Sequence, residues 1–171
     1  DAALLAGVPG KWRTGLRFAL KSELGLGGGT GPAHQARFLR LFAEVQGAKG
    51  FRPDIAPGFH FALAGPDYRH EVLLATRDGQ DVAAIVVGHA GPCSTYLFGA
   101  TGAAGRPLRA GDFLTWEALR RARAQGARWY DLGGIDAVEN PDVARFKERM
   151  NGRPIAADVW QASGPGPVPG L

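Results

Sequence analysis

Trp12, Leu16, Ala19, Leu20 and Leu24 fall on one helical face, while Arg13, Arg17 and Lys21 form a basic stripe on another. This spacing predicts a helix over 11–24. Residues 25–31 read as a flexible, glycine-rich connection, and Pro32 suits the first turn of a second helix. Phe38, Leu41, Phe42 and Val45 give that helix its apolar stripe, ending near Gly47. Residues 51–63 read as a loop and a short helix. From Glu71 the period changes to that of strands, over 71–77, 81–89 and 93–98, with Asp78-Gly79 and Gly91-Pro92 as turn signals. The run from Val82 to Gly88 is apolar throughout, which predicts a central strand buried on both faces. Asp112 is the expected cap of the next helix and Gly126 its left-handed stop. Residues 128–132 return as a strand. Asn140-Pro141-Asp142 then starts a helix that Asn151-Gly152 ends, with a last strand over 155–161.

Composition narrows the class. At 171 residues and 45% hydrophobic content, the chain is expected to form one domain over 1–162, with a disordered Gly/Pro-rich tail at 163–171. A net charge of +4 is mildly basic and compatible with phosphate-bearing partners. No apolar run approaches the roughly 18 residues a membrane span needs. The lone Cys93 excludes an internal disulfide and favours a cytoplasmic setting. The start, Asp1-Ala-Ala-Leu-Leu, has no charged n-region, so it reads as a cut through a longer protein rather than a signal peptide. The four histidines show no ligand spacing, so no metal is expected. No serine sits in a Gly-x-Ser-x-Gly elbow.

The order of helix, helix, antiparallel meander, helix, strand, helix, strand is similar to that of the GNAT acyltransferase fold. That resemblance implies an α/β (α+β) architecture: a central, mixed and mostly antiparallel sheet flanked by helices. Substrates then meet where two neighbouring strands part. The loop before the main helix, Gly102-Ala-Ala-Gly-Arg-Pro-Leu-Arg-Ala-Gly, is glycine-rich, but Arg109 stands where an Arg/Gln-x-x-Gly-x-Gly/Ala pyrophosphate loop starting at Arg106 requires glycine. Use of acetyl-CoA is therefore disfavoured.

Four stretches resemble the FemABX family. They are Lys11-Trp-Arg-Thr-Gly-Leu-Arg, Tyr96-Leu-Phe-Gly-Ala-Thr, Trp116 through Tyr130-Asp-Leu-Gly-Gly-Ile, and Arg145-Phe-Lys-Glu. The resemblance runs from about Lys11 to Arg153 and matches the second of that family's two tandem GNAT-like domains. Thr14 departs from it, standing where an aromatic residue is common. Such proteins move an amino acid from aminoacyl-tRNA onto the stem-peptide amine of a peptidoglycan precursor. The resemblance therefore implies aminoacyl-tRNA as co-substrate, with no bound cofactor. The partners it implies are a UDP-linked or lipid-linked muropeptide and an N-terminal GNAT-like domain. The setting is the cytoplasm, reaching the inner membrane face when the precursor is lipid-linked.

The same resemblance implies the site residues. Lys147 is the candidate positive group for the developing oxyanion, and the backbone carbonyl of Phe146 helps hold the attacking amine. Val143, Phe146 and Met150 are also expected to share the helix's packed face. Arg13 is the candidate for the precursor's phosphates, with Lys11 and Arg17 as companions. Tyr130 and Asp131, further candidates for substrate binding, close the strand beside Gly133-Gly134, and Asp131 is expected to order that turn. Arg120, Arg121 and Arg123 are either a tRNA-facing cluster or a solvated helix face. Two other readings share these residues: an N-acyltransferase, tRNA- or CoA-dependent, acting on a small molecule, and a non-catalytic binding half of a two-domain enzyme.

Overall fold

Alternation of apolar side chains fixes the sheet, and the sheet fixes everything packed on it. The computed structural model describes residues 1–50, 55–135 and 141–155. In chain order the elements are α1 (Ala2–Gly7), α2 (Gly10–Leu20), β1 (Gly25–Gly29), α3 (Pro32–Lys49), α4 (Pro57–Ala62), β2 (Arg69–Arg77), β3 (Gln80–Ala90), β4 (Cys93–Thr101), α5 (Ala110–Ala124), β5 (Trp129–Asp131) and α6 (Pro141–Glu148). The sheet runs β1-β2-β3-β4-β5, antiparallel throughout except for the parallel pair β4–β5.

β2 and β3 are covered on both faces, as the unbroken apolar run predicted. Leu73, Ala75, Ile85 and Val87 pack with Phe113, Leu114 and Ala118 of α5. Val72, Leu74, Ala84 and Val86 point the other way, against Phe38, Leu41, Phe42 and Val45 of α3. The Asp78-Gly79 turn has positive φ at both residues, 50° and 76°, as the tightest hairpins require. A third cluster joins Val8, Trp12 and Leu16 to Trp116 of α5 and to Met150 beyond α6, so α2 clamps the two later helices together. Leu20, expected on the packed face of α2, is 52% exposed instead. The helix has already turned past its neighbours there.

Three expectations need correcting. Residues 25–29 are not a loose connection but an edge strand, paired with β2 from Gly25↔Thr76 to Gly29↔Val72. Glycine-rich segments carry little strand propensity, so only the partner's backbone makes this a strand. Asp112 does not cap α5: the N-cap is Arg109, in the left-handed region at φ 56°, and no side chain caps the helix. Val143 is 44% exposed, and Ala144 and Lys147 take the packed face of α6 with Met150 beyond it. Gly126 and Asn151 do adopt positive φ, at 84° and 62°, where α5 and α6 were expected to stop. Most of the strand expected over 155–161, the Asn140 cap and the tail at 163–171 lie outside the described residues.

Gly28 shows why β1 is glycine-rich. Its φ is +145°, and a Cβ there would stand 2.1 Å from the Val72 carbonyl oxygen. Gly28→Ala is expected to lower the free energy of unfolding by about 1–3 kcal/mol, from backbone strain alone. Urea denaturation checks this, and an unchanged midpoint contradicts it.

Candidate active site

The parallel pair holds for three residues only, Cys93↔Trp129, Ser94↔Tyr130 and Thr95↔Asp131. β4 continues to Thr101 while β5 stops at Asp131, so the strands part at that level. Just beyond, the register of β3 against β4 skips Leu97, a bulge that locally re-aims the strand. The chain leaving β5 turns at once. Asp131 Oδ1 accepts a hydrogen bond from Gly133 N at 2.7 Å, and Gly133 sits at φ +75°. A Cβ on Gly133 would lie 3.0 Å from the Tyr96 carbonyl oxygen, so this turn runs tightly against the bulged part of β4.

α6 brings Lys147 to the turn. Ala144, Lys147 and Met150 are all buried, and Lys147 is only 7% exposed. It is not the solvated lysine that its neighbours Glu148 and Arg149 would suggest. Its Nζ donates to the Gly134 carbonyl oxygen and lies 3.5 Å from where a Gly133 Cβ would be. Burial lowers its pKa below the usual lysine value, and the charge of Asp131 partly opposes that shift. The next residue back, Phe146, packs its ring 6.0 Å from Tyr96. The helix tightens at its end, where Met150 N donates to Lys147 O. This leaves the Phe146 carbonyl without the amide four residues on that would ordinarily close on it. Burial pushes the phenols of Tyr96 and Tyr130 well above their usual value, so both are neutral. The Tyr130 hydroxyl is buried with no hydrogen-bond partner among the described residues.

A cavity of about 400 Å³ lies between α2, the start of α5 and α6, lined among others by Lys11, Trp12, Arg109, Phe146 and Arg149. Lys147 is not one of its lining residues. Phe146 therefore faces the cavity while Lys147, one step round the helix, faces the end of β5.

The other expected residues separate. Lys11 reaches the cavity, but Arg13 turns away from it, with Nη1 at 3.5 Å from the Leu5 carbonyl of α1. Arg17 is exposed and does not line the cavity. The arginines of α5 are largely committed: Arg120 binds Asp1 at 2.9 Å and Glu117 at 3.1 Å, and Arg121 binds Glu71. They do not form a free cationic face. His89 lies 2.9 Å from Ser94 Oγ and 3.9 Å from Glu71, a set reminiscent of a hydrolase. Ser94 is 1% exposed, however, and no substrate reaches it. Burial first, then Arg69, lowers the pKa of His89, against the pull of Glu71.

The loop before α5 bonds largely to itself. The amides of Gly105, Arg106, Arg109, Ala110, Asp112 and Phe113 all donate within residues 102–113. A pyrophosphate cradle needs such amides free and pointing outward. The residue missed by sequence reasoning is Arg109 itself, whose mismatch with the glycine loop was the available signal.

Residues 11–148 match the model of an acetyltransferase (GNAT) domain. The chain belongs to that family. No curated protein matches it in sequence. Among solved structures, FemX is similar at a TM-score of 0.61 and 16% identity, covering 80% of this chain and 50% of that one. The C-terminal domain of a protein described as a lysylphosphatidylglycerol synthetase, from Agrobacterium fabrum, gives a TM-score of 0.58 at 14% identity, covering 83% and 46%. A GNAT acetyltransferase from Staphylococcus aureus Mu50 gives 0.59 at 16%, covering 83% and 93%. These likenesses show the fold. The chain spans about half the length of the first two. Among the described residues of this GNAT domain, no helix is long and apolar enough to cross a membrane, and no side-chain group is arranged to hold a metal ion.

The buried ammonium has a consequence for stability. A lysine whose pKa is lower folded than unfolded makes the unfolded state bind more protons in the window between the two values. Stability therefore rises with pH there. Thermal unfolding of the wild type is expected to shift upward as pH rises towards the ordinary lysine value of 10.5, and Lys147→Met to lose that component. Identical pH profiles for the two proteins contradict the assignment.

Proposed function

We propose that this GNAT domain transfers an aminoacyl group from aminoacyl-tRNA to the stem-peptide amine of a peptidoglycan precursor, as half of a two-domain enzyme of the FemABX kind. The observation that carries the reading is Lys147, a buried ammonium held at the level where β4 and β5 part. The Phe-Lys and Tyr-Asp-Leu-Gly-Gly motifs that resemble FemABX are the segments that build this point, and the likeness of the fold to FemX supports it.

The donor ester is already activated, so no covalent enzyme intermediate is required. The amine nitrogen attacks the ester carbonyl carbon, a C–N bond forms, the bond to the ribose oxygen breaks, and the proton lost by nitrogen ends on that oxygen. Lys147 stabilises the oxyanion as charge develops, in a site where burial strengthens its field. To do so it exchanges the Gly134 carbonyl for the substrate oxygen. The free Phe146 carbonyl holds an N–H of the incoming amine. Lys11 contributes positive charge for the precursor's phosphates. Positioning of amine against ester supplies much of the remaining acceleration, about 7–11 kcal/mol when well oriented. The reaction takes place in the cytoplasm, at the inner membrane face when the precursor is lipid-linked, and the partner domain completes the precursor site.

Lys147→Ala is expected to reduce transfer by about 10²–10³-fold while leaving the far-UV circular dichroism unchanged. The assay incubates charged tRNAs with UDP-linked and lipid-linked precursors, with and without the companion domain, and weighs the products. Undiminished turnover by the variant contradicts the role of Lys147. Acylation from acetyl-CoA, with none from charged tRNA, replaces this donor with a thioester.

A further inference from the structure

We propose that His70 is a proton-sensitive latch for α4: its neutral imidazole holds that helix on the sheet, and protonation of the ring releases it. The latch lies on the α3 face of the sheet, across from α5, and does not rest on the transfer reaction.

The hydrogen bonds around the ring require its neutral form. His70 shares the face of β2 that carries Val72 and Leu74, and it is 3% exposed. Gln35 Nε2 of α3 lies 2.9 Å from His70 Nε2 and donates to the Thr30 carbonyl oxygen at 3.3 Å. A carbonyl at Thr30 calls for a donor, so the amide of Gln35 turns its NH₂ to both partners, and His70 Nε2 is an acceptor. The ring's own proton is then on Nδ1, which is buried with no hydrogen-bond partner among the described residues. A second proton, on Nε2, would face the NH₂ of Gln35, donor against donor. It would also add a charge that burial penalises. Burial accordingly lowers the pKa of His70, against the pull of the Thr30 carbonyl.

No carboxylate offsets that charge. Glu44, the one acid of α3, stands beside Gly102, and Asp67 before β2 is exposed. Glu71 lies on the opposite face of β2 and binds Arg121, while Arg69 reaches Gln125 beyond α5. Arg37 and Arg40 of α3 bind Asp81 at the start of β3. The other titratable groups of this layer are His34 against Gly29, His60 of α4 against Phe98, and Tyr68 against Gly88.

α4 is a six-residue helix that depends on this ring. Phe61 packs 4.8 Å from His70 and meets Phe38 edge-on at 6.2 Å, and Pro57 is buried at the helix start. Phe59 and Leu63 face solvent instead. A helix so short does not persist without its packing contacts. Its release uncovers Phe38 and also Phe98, which follows the bulge in β4.

Hydrogen exchange of the full chain, read by mass spectrometry between about pH 7.5 and pH 5.5 and corrected for intrinsic rates, tests the latch. The released ring takes a proton more readily than the latched one, so acid favours release below the ordinary histidine value of 6.5 and the effect is absent above it. Residues 57–63 are expected to lose protection by about fivefold or more, since one proton contributes roughly tenfold per pH unit. β3 is expected to keep its protection over the same range. His70→Phe keeps a ring beside Phe61 and cannot be protonated, so the protection of α4 is expected to become independent of pH. Imidazole ¹⁵N NMR of the wild type is expected to show His70 with Nε2 unprotonated at neutral pH and a titration below 6.5. That measurement decides the case by itself where His70→Phe folds poorly. The latch is overturned if α4 protection is flat in the wild type, if β3 loses protection equally, or if His70→Phe keeps the pH dependence. A neutral proton on Nε2, or a titration at or above 6.5, overturns it as well.

Discussion

One buried cation organises the working end of this molecule. An ammonium removed from water is costly unless its donors are satisfied and a counter-charge lies near. Lys147 meets these needs in part locally: the Gly134 carbonyl accepts a hydrogen bond from its Nζ, and Asp131 is the nearby charge. Those partners exist only because β5 ends after its third residue and turns at Gly133, a position that tolerates neither a side chain nor an ordinary φ. The same short strand makes the gap beside β4. The gap, the turn and the ammonium are thus one structural event, and a change to any of them disturbs the other two.

The packing explains why the event is placed there. α5 covers one face of the central strands, and α2 bridges α5 to the end of α6 through Trp12, Leu16, Trp116 and Met150. That bridge fixes α6 against the end of β5. It also leaves a cavity where the three helices fail to meet. Phe146 and Lys147 sit on either side of the resulting ridge, the ring towards the cavity and the ammonium towards the parted strands. A substrate oxygen reaching the ammonium must displace the Gly134 carbonyl that it now bonds.

Much of this was legible in the sequence where local physics decided it. The meander was readable because Val72 to Val87 alternate or run apolar between strong turn signals, and the helix stops were readable at Gly126 and Asn151. The Phe-Lys pair was legible as a motif, but burial of its lysine was not, because Glu148 and Arg149 beside it suggest a solvated face. β1 was illegible since five residues of Gly and Leu carry no strand signal without Thr76 to Val72 as partners. Arg13 was legible as a charge and misread as to direction: its side chain follows α1, an element the sequence did not announce. Arg109 looked like a defect in a glycine loop. In three dimensions it is a strained residue held by Asp112 and cleared by Gly15, contacts that span much of the chain.

The ammonium itself can be observed. Selective ¹⁵N labelling of the four lysines, assigned by substitution, gives the titration of each Nζ by NMR. Lys147 is expected to titrate below the other lysines and to exchange its protons slowly, as a buried donor to a carbonyl does. A Lys147 signal that titrates with the exposed lysines and exchanges as fast would place the charge in water and contradict the account.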